Sequence, residues 1–274
     1  MNRIIMNNTI NIQTNNQSMR KYYIIGLVVI ASLLLSGCAS SQDWGWYVVD
    51  PTLKRGRINI AFLLSGIPWT ILLTICCVVI SVVVGFFISL LGLSDRKLLV
   101  AIYRTYVEVF RSIPPLVSIF WVYYGMPILV DIDLQPFPAG MIALSVYGSA
   151  FMAEIFRGGV QSIAKGQFEA AYSLGLPYFN TMRLIVFPQA LRRALPAIGN
   201  QLVITLKMTS LVSVIGVSEV LRHGNELAVT EYRPLEIYSF VAVEYLVLVL
   251  IVSAGVRKLE RKLGSDERNN RSGE

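Results

Sequence analysis

The chain has 274 residues, of which 54% are hydrophobic and only 15% charged, with a mean hydropathy of +0.59. Soluble domains carry about a quarter charged residues, so this balance excludes an ordinary soluble enzyme or binding domain. A net charge of +7 would suit nucleic acid, but the cations flank apolar runs, which is a signature of membrane orientation.

Residues 1–18 hold six Asn and little hydrophobic pattern, and read as a disordered tail or as text ahead of a start at Met19. Residues 19–38, MRKYYIIGLVVIASLLLSGC, join a positive flank to a twelve-residue apolar run, Ile24 to Leu35. A spanning helix needs about 20 residues, so that length suits a signal-peptide core. Leu35-Ser36-Gly37-Cys38 resembles a lipobox whose cysteine is lipidated. The other reading is a short first transmembrane helix that ends in Gly-Cys. Residues 39–57 form a polar external loop with Trp44, Trp46 and Tyr47 at a membrane interface.

The core, residues 58–263, holds five apolar stretches. Ile58 to Gly66 enters at the interface, and Trp69 to Leu93 is long enough for one span. Val100 to Leu129 opens amphipathic, with Arg104, Glu108 and Arg111 on one face as an ion cluster at the inner boundary. Ser112-Ile113-Pro114-Pro115 must bend or interrupt it. Ala139 to Phe156 returns, and its small residues Ser145, Gly148 and Ser149 permit close helix approach. Ala197 to Val220 and Ile237 to Val256 complete the set, joined by an outer loop from Arg222 to Glu236. Residues 264–274 read as a disordered tail. On this topology nineteen Lys and Arg lie inside and five outside, as the positive-inside rule expects. The fold class is all-α, a polytopic membrane helix bundle with five core transmembrane helices plus the N-terminal signal-like or short transmembrane segment.

The polar block at 157–196 stands apart. Glu169-Ala170-Ala171, then Gly175, Ile185 and Pro188, describe a helix, a glycine stop and a second short amphipathic run, lying against the membrane. Phe168, Ala171, Tyr172 and Ile185 give it an apolar face that needs a partner. This pattern resembles the EAA–x3–G–x9–I–x–L–P loop of permease subunits in bacterial ATP-binding-cassette importers. RGGVQSIAKGQFEAAYSLG, FPQALRRALPAIGNQ and LKMTSLVSVIG are similar to the polar-amino-acid branch, which serves glutamine, histidine, arginine, cystine and opines. The likeness covers Asn59 to Lys262. It departs at Phe187, where the pattern has Leu, and at Met208, where an acidic residue is common.

The resemblance implies a chain in the bacterial inner membrane whose loop docks a short coupling helix on a separate ATPase subunit. It implies a second permease subunit, identical or different, an extracytoplasmic substrate-binding protein, and surrounding membrane lipid. No cofactor is expected on this chain; ATP is used by the partner. The residues agree, for there is no Gly-x4-Gly-Lys-Ser/Thr loop, no metal-ligand spacing and no catalytic constellation. Polar groups in hydrocarbon are costly and mark function, which singles out Glu244, Asn200, Lys207 and Thr209 as a substrate path or as interhelical pairs. A secondary carrier or channel subunit without ATPase coupling is the alternative that the spans alone allow.

Overall fold

The computed structural model describes residues 44–271, with side chains through Glu260. The tail at 1–18, the segment 19–38 with Cys38, and the start of the external loop lie outside the described residues. From Trp46 onward the chain is helical. A short 3-10 turn, Trp46–Val49, leads into α1 (Lys54–Leu64) and α2 (Ile67–Gly92). After a charged turn come α3 (Lys97–Ser112) and α4 (Pro115–Val130). The chain returns through α5 (Pro136–Gln161), makes α6 (Lys165–Ser173), and runs back along α7 (Tyr178–Ile215). An outer helix, α8 (Val220–Glu231), and a long last helix, α9 (Pro234–Arg271), complete it.

Among the described residues, four helical stretches are long and apolar enough to cross a membrane, and α3 with α4 supplies a fifth if a bent pair counts as one span. The bend is 99°. Its cause is local: Ile113 and Pro114 each precede a proline, which drives both out of the α region, and both are extended, with ψ of 127° and 134°. Two extended residues in succession end one helix and start another in a new direction.

α5 is the axis. Of its most apolar window 61% is buried inside the chain, against 33% for the first span and 17% for the last. It packs on α2 through small residues, as membrane helices must when hydrophobicity gives no drive to associate. A Cβ on Gly85 would sit 2.5 Å from the Met152 Cβ, and one on Gly148 would sit 2.5 Å from the Ser81 Oγ. That approach lets the Ser81 hydroxyl donate to the Ser145 carbonyl at 3.0 Å. Tyr106 of α3 and Ser149 of α5 share a hydrogen bond of 2.7 Å.

Two boundaries and one ion cluster differ from the sequence reading. The external loop ends early, because α1 already begins at Lys54. Arg104, Glu108 and Arg111 do not pair among themselves; Arg111 reaches across to Glu154 of α5 and stacks over Phe151. The last helix continues to Arg271 rather than stopping near 263, although Gly264, Ser265, Asn269 and Asn270 are weak helix formers.

Gly85→Val should force α2 from α5 and destabilise the bundle by about 1–3 kcal/mol. A lowered thermal midpoint of the detergent-solubilised protein checks this; an unchanged midpoint would contradict the close packing.

Candidate functional site

The polar block resolves into a tight turn between two helices. α6 is capped at its end by a pair of backbone bonds, from the Gly175 N–H to Tyr172 O at 2.9 Å and from the Leu176 N–H to Ala171 O at 3.1 Å. This is the Schellman arrangement, which needs a left-handed residue, and Gly175 has φ +74°. The glycine stop is where the spacing puts it. The second run is not short, however. α7 starts at Tyr178 and continues unbroken into the next span, so the linking turn between α6 and α7 is only 174–177 and the block 157–196 contains the first half of a spanning helix.

Pro188, the last residue of the spaced pattern, lies inside α7. It lacks the N–H of a regular turn, and the turn just before it, Thr181–Val186, is a wider π turn. Pro196 is also within α7, on an exposed face. Glu169 is exposed in the middle of α6 and caps nothing, because the helix begins after Ala164. Ala170 is exposed beside it.

The apolar residues divide differently from the periodicity. Ala171 is buried. Phe168 turns inward with Val160 and Met182 against the cluster of Ile163, Val186 and Ala190, which holds the turn to its neighbours. Gln189 donates to Gln167 Oε1 at 3.1 Å and to Ile185 O at 2.9 Å, and Arg193 donates to Ser162 O. The outward face is made instead by Tyr172, Leu174, Tyr178, Phe179 and Leu184, with Leu174 79% and Phe179 69% exposed. Phe187 packs edge-on against Phe86 at 5.4 Å, so the departure from Leu keeps an apolar role. Met208 packs on the central cluster around Leu73 and Val212.

The four intramembrane polar residues do not converge. Lys207 is exposed and lines an open cleft of about 390 Å³ with Ser210, Tyr245 and Leu246. Asn200 is exposed two turns back on α7, on the same side. Thr209 is buried, and its hydroxyl donates to Leu206 O of its own helix at 2.7 Å. Glu244 is 6% exposed and has no hydrogen-bond partner at either oxygen, and it does not line the cleft. A second hollow of about 570 Å³ opens between α4 and α5, walled by Phe110, Val117, Trp121 and Ile142; its carbon lining suits hydrocarbon rather than a polar solute.

Sequence reasoning missed Glu219 and Tyr245. Glu219 is fully buried and caps α8, accepting from the Arg222 N–H at 2.7 Å and the Leu221 N–H at 3.0 Å. The Tyr245 hydroxyl donates to it at 2.5 Å. Burial pushes the Glu219 carboxyl above its ordinary range, against the pull of those hydrogen bonds. The acidic cap two residues after the break at Gly216-Val217 was the available signal; nothing in the text marks Tyr245.

A bundle of spanning helices with an exposed, glycine-stopped insert and polar atoms on one span defines a membrane transport component. Residues 81–265 match the family described as binding-protein-dependent transport system inner membrane component, and the chain belongs to that family. The glutamine transport system permease protein GlnP of Escherichia coli (strain K12) is 43% identical over 159 residues, covering 58% of this chain and 73% of the relative. The arginine transport system permease protein ArtQ of Bacillus subtilis (strain 168) is 35% identical over 209 residues, covering 76% and 95%. A crystal structure of an amino acid ABC transporter with histidines is similar at TM-score 0.70 and 36% identity, covering 74% of this chain and 94% of that one. The permease of the methionine transporter MetNI shares the fold alone, at TM-score 0.65 and 19% identity. The protein is thus a multi-pass inner-membrane component.

Gly175→Val should strain the turn by about 1–2 kcal/mol, the cost of a left-handed conformation for a residue with a Cβ. Faster limited proteolysis at 174–177 in the purified protein checks it, and unchanged cleavage would contradict it.

Proposed function

We propose that this chain is the permease subunit of an ATP-driven importer of polar amino acids, coupled through the turn at Gly175 to a separate ATPase subunit. The observation that carries the reading is the outward face of Tyr172, Leu174, Tyr178, Phe179 and Leu184. It belongs to the side of the chain richest in Lys and Arg, hence the cytoplasmic side. Apolar side chains gathered at a turn between two rigid helices there call for a protein partner. Aromatic and Leu side chains on a short helix suit a hydrophobic groove. ATP is bound by that partner, and this chain holds no cofactor.

Two further partners complete the reading. Asn200 and Lys207 are exposed on a spanning helix, where hydrocarbon would penalise them; a second permease subunit covers them and turns the cleft into an enclosed path. The Lys207 ammonium is then the group that receives a substrate carboxylate, with the Ser210 hydroxyl beside it. An external binding protein delivers the substrate. The cycle is a two-state exchange of a helix bundle biased from both faces. Glutamine and arginine, named for the two relatives, mark the substrate class.

Phe179→Ser and Leu174→Asp should each weaken association with the ATPase subunit by about 2 kcal/mol, as interface anchors do, while the protein still inserts. Co-purification of the ATPase from membranes measures this; full retention in both variants would remove the coupling role. Lys207→Gln should lower amino-acid uptake by on the order of tenfold, with ATPase association unchanged. Unaltered uptake would take Lys207 off the path.

A further inference from the structure

α8 is tied at both of its ends, and each tie reaches a different part of the molecule. At the start, Glu219 accepts from two α8 amides and from the Tyr245 hydroxyl. The Val220 N–H donates to the Thr70 hydroxyl of α2 at 3.2 Å. At the far end, Glu231 meets Arg55 of α1 at 2.6 Å and accepts from Asn59 at 3.0 Å. Asn59 in turn donates to Val48 O at 2.9 Å. Along its length the His223 ring stacks on Phe62 of α1 at 4.4 Å.

The choice of a carboxyl at the start is informative. A helix cap is served as well by Ser, Thr or Asn, which avoid the desolvation of an acid. Glu219 has no cation partner among the described residues, only two amides and one phenol. The extra reach of the acid is used on Tyr245, whose ring is a wall of the cleft beside Lys207. A short side chain at 219 would cap the helix and take the carboxylate away from the Tyr245 hydroxyl, leaving it only the hydroxyls of Thr70 and Thr209.

We infer that α8 is the strut by which contact at the outer surface is transmitted to the cleft, and that Tyr245 is a positioning residue held by Glu219 at its inner end. This rests on the proposed function, because it takes the cleft as the substrate path and the Arg55 end as the side that meets an external protein. Movement of α1 and the 46–49 turn on docking shifts Glu231, hence α8, hence Glu219 and the Tyr245 ring. The path wall then responds to an event at the opposite end of the helix.

The test uses the whole complex, this chain with its ATPase and permease partners, in nanodiscs, with the co-purifying external binding protein loaded with L-glutamine or L-arginine. The readout is the ratio of ATP hydrolysis with and without that protein. Tyr245→Phe and Glu219→Gln should each lower the ratio by on the order of tenfold. The double variant should be no worse than the poorer single one, because both remove one bond. Arg55→Gln, at an exposed side chain whose partner Glu231 keeps its bond from Asn59, should lower the same ratio with basal hydrolysis unchanged, and it decides the matter if the buried variants fail to assemble. Stimulation at the unmodified level in these variants, or losses that add, overturns the strut and leaves the importer standing. An unmodified complex that no loaded binding protein stimulates overturns the importer, and the strut with it.

Discussion

The close contact of α2 with α5 is the constraint from which the remaining structure follows. In hydrocarbon, apolar side chains gain nothing by leaving lipid for one another, so helix association depends on van der Waals fit and on hydrogen bonds. Gly85 and Gly148 remove the side chains that would hold the two helices apart, and Ser81 then bonds the Ser145 carbonyl across the gap. With this axis set, the ends of α5 fix what lies beyond them. α4 packs beside its outer half, and α3 beside its inner half through Tyr106 on Ser149 and Arg111 on Glu154. The inner end of α5 runs three residues past Gln161 into α6, so the exposed turn at Gly175 is carried on the most buried helix of the molecule.

The irregular turns make sense on that frame. A straight α7 would place a proline amide gap and the crossing to α5 in conflict. The π turn at Thr181–Val186 absorbs the mismatch ahead of Pro188, and Arg193 and Gln189 then tie α7 back to the start of α6. These bonds join α6 to the first half of α7 beside the end of α5.

The spans, the Pro114-Pro115 break and the Gly175 stop were legible in the sequence because each is a local matter: apolar length, a residue before proline, a spacing that demands positive φ. The continuity of α7 was not, since the run after Gly175 reads as short and separate from the span at Ala197, and only a wider turn and an open face let Pro188 and Pro196 sit within one long helix. The apolar face of the turn at Gly175 was half legible. Periodicity identifies Phe168 and Ala171 as one stripe with Tyr172, but the cluster at Ile163 and Val186, brought from two other helices, takes the first two inward. The intramembrane polar residues were legible as a class and not as a set, because the cost of a polar group in lipid is a property of composition, whereas the direction it faces is decided by packing. Glu244 and Tyr245 are adjacent in sequence, and one is sealed in the bundle while the other lines the cleft.

That last contrast bears on how one helix serves two purposes. α9 presents Ile237, Val241, Glu244 and Leu248 along one buried stripe, at spacings of four and three residues. Tyr245 lies at the edge of the stripe, about 40° around the helix from Val241, where its ring reaches the cleft while its hydroxyl returns to Glu219. A wall residue fixed by its ring to one helix and by its hydroxyl to another is sensitive to relative motion of both. Rotation of α9 against α8 must either stretch that bond or carry the ring with it, and the short bond makes the second course the less costly. The cleft is therefore shaped by the same contact that caps the outer helix, and its form depends on where that helix sits.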